Sequence, residues 1–205
     1  MITEKQLQIF RTFAKKPFAE YMRKEIKELA KEKSNNSLAI TINTLKQENV
    51  LFEKKIGKSG VLSLNLNNDL TFDYISLCNY KLPKLVNLSL NILKQELFEL
   101  TPFYSLIIFG SYAENKQKEN SDLDIAIFVE NENDKKSMEA SINTAKLKSL
   151  LELDVHIISK IEMLQMLKDK KENLGKQIAR KHLSIYNNRI FYEIIKEGMK
   201  NGFRI

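Results

Sequence analysis

The sequence predicts a mixed α/β (α+β) chain, with a small N-terminal unit of helices and a hairpin ahead of a small mixed sheet flanked by helices. Three observations predict it. Apolar residues recur at helical spacing through residues 3–49, two extended runs then flank Gly57-Lys58-Ser59-Gly60, and short apolar runs at 106–109 and 123–129 enclose a polar excursion. The expected divisions are an N-terminal domain at 1–68, a linker and connecting helix at 69–100, a sheet core at 101–160, and C-terminal helices at 161–205.

In chain order, Thr3 is placed to cap a helix over 3–14 whose Leu7, Phe10 and Phe13 share one face, and Pro17 ends it. A second helix is expected over 21–33, with Ile26, Leu29 and Ala30 inward. After the Ser34-Asn35-Asn36 turn, Ser37 can cap a third helix through Asn49 that turns Ile42 and Leu45 inward. Val50 to Ile56 and Val61 to Leu66 read as the hairpin strands, and residues 69–84 as a connection. Leu85 to Leu100 is amphipathic, with Leu85, Leu88, Ile92, Leu93, Leu97 and Leu100 on its apolar side. Leu106 to Phe109 reads as a buried strand, residues 131–136 as a polar loop, and 137–150 as a crossover helix into the strand ending at Ile158. Helices are expected over 161–170 and 174–200, the latter interrupted near Asn187-Asn188.

The 205 residues contain one cysteine, Cys78, so an internal disulfide is excluded, and Cys78 reads as an inert packing residue. No apolar stretch reaches the roughly 20 residues that cross a bilayer, and the first residues, MITEKQLQIF, carry no secretory pattern. A cytoplasmic protein without a membrane partner is therefore expected. The net charge of +7 is uneven: residues 1–84 hold 15 Lys+Arg against 9 Asp+Glu, while the remainder is nearly balanced at 18 against 17. That asymmetry suits nucleic acid, and equally a lysine-rich solvated surface.

The chemistry is concentrated in SLIIFGSYAENKQKENSDLDIAIFVE. Asp122 and Asp124 lie two residues apart at the head of an apolar run, so in a strand they project from one face. Like charges so placed repel unless a cation lies between them, and Mg²⁺ is commonly held by a few carboxylates, waters and phosphate oxygens. Gly110 and Ser111 close the preceding strand and open a short helical turn, where free backbone N–H groups, the absence of a Cβ and a hydroxyl suit a phosphate. Asp154, set among strand-forming residues at 150–158, is the expected third carboxylate. With two Mg²⁺ ions, Asp122 and Asp124 would serve both, and Asp154 the one nearer the nucleophile.

Gly-Ser, ten intervening residues, Asp-x-Asp and a later strand Asp resemble the DNA polymerase beta-like nucleotidyltransferase superfamily, in particular its minimal nucleotidyltransferase branch, over about residues 103–158. The resemblance implies that Gly110 and Ser111 bind the phosphates of an NTP substrate, that Asp122, Asp124 and Asp154 bind magnesium, and that NMP passes to a hydroxyl with release of pyrophosphate. Many relatives follow GSxA with a basic residue and Gly; here Glu114-Asn115 stand instead. Asn tolerates the left-handed conformation that Gly would take there.

Three helices and a hairpin resemble a winged helix-turn-helix domain. That resemblance implies DNA-binding through Asn36, Ser37, Thr41, Asn43, Thr44 and Lys46 on the third helix and Lys54, Lys55 and Lys58 on the wing. The same fold also serves as a protein-interaction module.

Two classes of function follow. The first is an enzyme, a transferase using ATP by analogy with the branch. Its acceptor would be a hydroxyl of a nucleic acid or of a protein, such as the helical toxin of a toxin-antitoxin pair. The second is a DNA-binding regulator, a homodimer on two half-sites, whose nucleotidyltransferase domain senses nucleotide or binds a partner. An RNA nucleotide-adding enzyme is a further alternative, for which the chain leaves little binding platform. Of the remaining candidates, Tyr112 suits base stacking or packing. His156 shares the face of Asp154, where it could orient substrate or accept a proton, and reads foremost as solvated or packed. His182 falls among Arg180, Lys181 and Arg189, a set that suits a basic patch near a nucleotide or nucleic acid and reads foremost as a solvated basic face.

Overall fold

A computed structural model describes residues 2–57, 59–79 and 82–205, with only the backbone of Asp134. The chain forms two compact units, residues 1–78 and 79–205.

In the first unit, α1 (Glu4–Ala14) is closed by a capping box in which Thr3 and Gln6 satisfy each other's backbone N–H groups. Leu7, Phe10 and Phe13 are buried, as the spacing requires. β1 (Tyr21–Met22) precedes α2 (Arg23–Leu29), which is shorter than the expected helix because Tyr21 and Met22 pair with Leu62 and Val61. Leu29, expected inward, is exposed, whereas Ile26 and Ala30 are buried. The α3 helix (Asn35–Gln47) starts earlier than expected: Ser34, not Ser37, accepts the capping bond, from the Ser37 N–H at 3.2 Å. Ile42 and Leu45 anchor α3 to the core. β2 (Leu51–Ile56) and β3 (Ser59–Leu64) pair antiparallel, giving a three-stranded sheet of order β1-β3-β2.

Residues 69–84, expected as a connection, contain α4 (Asp69–Asn79). Asn68 caps its start by accepting from Leu70 N–H, and Phe72, Tyr74 and Ile75 are buried. Strand-favouring residue types here form a helix because burial of that face outweighs weak intrinsic propensity.

The second unit begins with α5 (Lys84–Phe98), whose buried positions are Val86, Leu90, Leu93 and Leu97. Leu85, Leu88 and Leu100, expected inward, are exposed: leucines on two adjacent stripes make the stripe ambiguous, and the sheet selects the one containing Val86. β4 (Ser105–Ile108), α6 (Gly110–Ala113), β5 (Leu123–Val129), α7 (Asn133–Lys148) and β6 (Leu153–Ser159) follow. The α7 helix takes up part of the expected 131–136 loop. After α8 (Lys160–Lys168) and α9 (Leu174–Arg180), the run expected to be helical contains β7 (Leu183–Tyr186) before α10 (Asn188–Lys200).

The sheet order is β6-β5-β4-β7. β4 pairs antiparallel with β5 and β7, while α7 carries the chain across so that β5 and β6 run parallel. Leu123, Ile125, Ile127 and Val129 join the core formed with α5 and α7. Alternation then gives Asp124, Ala126 and Phe128 to the opposite face, where Phe128 meets Phe191 of α10 at 5.2 Å between ring centroids. Among the described residues, no helix is long and apolar enough to cross a membrane.

Candidate active site

The site is built at one end of this sheet. β5 and β6 are in parallel register with Asp124 opposite Asp154 and Ala126 opposite His156. Paired residues of neighbouring strands project from the same face, so the two carboxylates share it by backbone geometry alone. Asp122 precedes β5 by one residue and is exposed, as is Asp154, whereas Asp124 is partly buried. Burial and the charge of Asp154, with a further contribution from Asp122, push the Asp124 carboxyl up; the Ser111 backbone N–H and His156 pull the other way. Asp154 and Asp122 therefore each act electrostatically on Asp124. His156 Nε2 stands 3.2 Å from Asp154 Oδ2, and its ring packs on Phe109 with centroids 5.8 Å apart.

The turn before them is equally constrained. Phe109 N–H donates to the Asp124 carbonyl at 3.0 Å, which sets Gly110 against the Asp124 side chain. Gly110 has φ +65°, and a Cβ there would run into the Asp124 carboxylate. Glycine meets both demands at once. Ser111 N–H reaches that same carboxylate. Asn115 adopts φ 54°, the left-handed conformation its sequence position allows. Tyr112 packs against the sheet core and donates through its hydroxyl to the Ser121 carbonyl at 3.4 Å.

A cleft of about 480 Å³ opens beside the turn, lined by Phe109, Gly110, Glu114, Asp124, Glu172, Gln177, Arg180 and Lys181. Four of these come from α9 and its flanks. Sequence spacing suggests a solvated basic face for Arg180, Lys181, His182 and Arg189, but the structure separates them. Arg180 and Lys181 border the cleft, while His182 is in the core, bonded to the Ile178 carbonyl at 2.9 Å and paired with the Tyr192 hydroxyl at 3.1 Å. Burial pushes the His182 imidazole down to about 4. The missed signal is β7: the sequence reading continues the helix through these residues, whereas a strand returns the chain to the sheet.

Glu114 lies between two ammonium groups, Lys116 Nζ at 2.7 Å and Lys181 Nζ at 2.8 Å, which hold its carboxyl down to about 2. Arg180 Nη1 donates to both oxygens of Glu172, at 2.8 and 2.7 Å.

Three carboxylates at one sheet end are hard oxygen donors, and their chemistry fits a divalent cation. Among the described residues, no three His, Cys, Asp or Glu side chains stand close enough to form a finished metal cage. Asp122 and Asp154 are exposed, Asp154 contacting His156.

In the first unit, Asn36, Asn43, Lys46, Lys54 and Lys55 are exposed and Ser37 and Thr44 partly so. Thr41 is a correction: it is 1 % exposed and donates to the Ser37 carbonyl at 2.9 Å, so it faces the core and not a ligand. Lys46 is paired with Glu53. Lys58 lies outside the described residues.

Residues 90–186 match the family model of the nucleotidyltransferase domain. The matched span begins in α5 and ends with β7, so it takes in the whole four-stranded sheet and all three aspartates. This match supports membership of this part of the chain in the nucleotidyltransferase superfamily, whose general activity is NMP transfer from an NTP with a divalent metal. No curated protein matches the chain.

Proposed function

We propose that the chain is a magnesium-dependent nucleotidyltransferase that moves NMP from an NTP, with ATP the first donor to test, to a hydroxyl of a macromolecular acceptor. One observation carries the proposal: the register of β5 and β6 puts Asp124 and Asp154 side by side on the sheet face that meets the Gly110–Ser111 turn and its cleft. Asp122, Asp124 and Asp154 would hold two Mg²⁺, which when bound neutralise phosphate charge and lower the pKa of an attacking hydroxyl. The turn receives phosphate oxygens through backbone N–H groups and the Ser111 hydroxyl. The acceptor oxygen bonds to the α-phosphorus, the bond to the bridging oxygen breaks, and pyrophosphate leaves. The acceptor proton passes to Asp154. Positioning and charge supply the rate, with no covalent enzyme intermediate.

A protein acceptor, such as the toxin partner of an antitoxin-like AMPylator, is the favoured class within this reading, and the exposed polar and basic residues of the first unit support a coupled DNA-binding role. Asn36, Asn43, Lys54 and Lys55 are exposed on α3 and β2, the elements that would meet DNA if the first unit works as a winged helix. The competing reading, a regulator without transferase activity, rests on the same residues. Incubation with ATP labelled at the α-phosphate and Mg²⁺ separates the two. Label on the chain or an added acceptor, lost in Asp122→Ala and Asp124→Ala, supports the enzyme; operator binding without any transfer supports the regulator.

A further inference from the structure

We propose that Lys181 and Arg180 are the cations that receive the nucleotide's polyphosphate, and that Glu114 and Glu172 occupy them as stand-in anions that the phosphate displaces. This rests on the reading of the cleft as a nucleotide site and adds the residues that hold the charged end of the ligand.

The charges of the cleft motivate it. Beside Gly110 and Asp124 its wall carries Glu114 and Glu172 against Arg180 and Lys181, and each cation is bonded to one of those two carboxylates. A polyanion entering this wall as it stands would meet three carboxylates and two cations already engaged. Both ion pairs reach water, Lys181 and Glu114 being 62 % and 26 % exposed by side chain and Arg180 and Glu172 39 % and 53 %, and ion pairs at such surfaces contribute little. Phosphate oxygens offer the same cations charge-assisted bonds of at least equal strength, and Arg180, which meets both Glu172 oxygens through Nη1 alone, carries a planar set of N–H donors that suits two phosphate oxygens. Glu114 loses little in the exchange, because it keeps Lys116 at 2.7 Å after Lys181 leaves.

The backbone holding the cations is fixed. Asn173 caps α9 through the Lys176 N–H, and the buried Lys176 ammonium bonds the carbonyls of Asp169 and Lys171. His182, the residue after Lys181, is locked in the core. The two cationic side chains thus leave a fixed base, so phosphate binding needs to order only their ends.

Calorimetric titration of the full chain with Mg²⁺-tripolyphosphate and with a Mg²⁺-loaded non-hydrolysable ATP analogue tests this. Lys181→Met is expected to weaken both ligands about tenfold or more, and Lys181→Arg to restore most of the loss. Glu114→Gln is expected to tighten both by roughly threefold, while Lys200→Met, which removes an equal charge at the end of α10, shifts neither beyond about twofold. Thermal melting of each variant controls for folding. Wild-type binding with Lys181→Met unchanged overturns the assignment and leaves the nucleotide site standing; a wild type that binds neither probe overturns both.

Discussion

The two units carry their candidate functional residues in opposite ways. In the second unit Asp124 and Asp154 are brought together by strand register, with Gly110 locked against one of them, so the sheet itself makes the constellation. In the first unit Asn36, Asn43, Lys54 and Lys55 are exposed side chains on α3 and β2. A site written into backbone pairing depends on the fold of the sheet around it. A surface written in exposed side chains can change its ligand without changing its fold.

Asp124→Asn separates chemistry from stability most sharply. Transfer should fall on the order of a thousandfold or more, several kcal/mol of transition-state stabilisation. Because burial and Asp154 disfavour the Asp124 charge, neutralising it should leave the melting temperature level or higher. A drop of several degrees would show that the carboxylate serves the fold instead. His182 gives the complementary case of burial without chemistry. Its folded pKa lies at about 4, below the ordinary 6.5. Its contribution is therefore fully present above about 6.5 and declines as pH falls toward 4, where the unfolded chain takes up a proton that the folded chain refuses. Urea unfolding should show about 3 kcal/mol of acid sensitivity across that window, flattened in His182→Gln; equal slopes for both proteins would refute it.

How far these features can be read from sequence follows the same division. Gly110, Ser111, Asp122, Asp124 and Asp154 are legible because strand alternation and turn chemistry are local rules. The parallel β5–β6 arrangement follows from the length of the intervening segment. β7 is not legible, since Leu183–Tyr186 is only four residues long and is stabilised by β4, far away in sequence. Without it Arg180 and Lys181 cannot be assigned to the cleft. The face of α5 is hidden for a related reason: leucines at 85, 88, 90, 93, 97 and 100 satisfy two stripes, and only the sheet beneath chooses. Thr41 breaks the polar-means-exposed rule, because its hydroxyl bonds to its own helix.

Smaller effects sharpen the contrast. Gly110→Ala places a side chain at φ +65° and against Asp124, so a loss of about 1–2 kcal/mol from backbone strain should accompany impaired transfer. Calorimetric melting and labelled transfer together check this; an alanine variant with normal values for both would mean that the turn adapts freely. Lys54→Ala combined with Lys55→Ala should leave transfer and melting within error and lower the salt slope of DNA binding by about 2. Unchanged DNA affinity at every salt concentration would remove the wing from the interface.

The central claim is that Asp122, Asp124 and Asp154 act as one metal-binding set beside the Gly110–Ser111 turn. Manganese titration followed by electron paramagnetic resonance, with a non-hydrolysable ATP analogue present, measures this directly in wild type and in Asp154→Asn. Two bound ions per wild-type chain, with one lost on substitution of Asp154, are the expected result. The same number of ions in both proteins, or none in wild type, would contradict it.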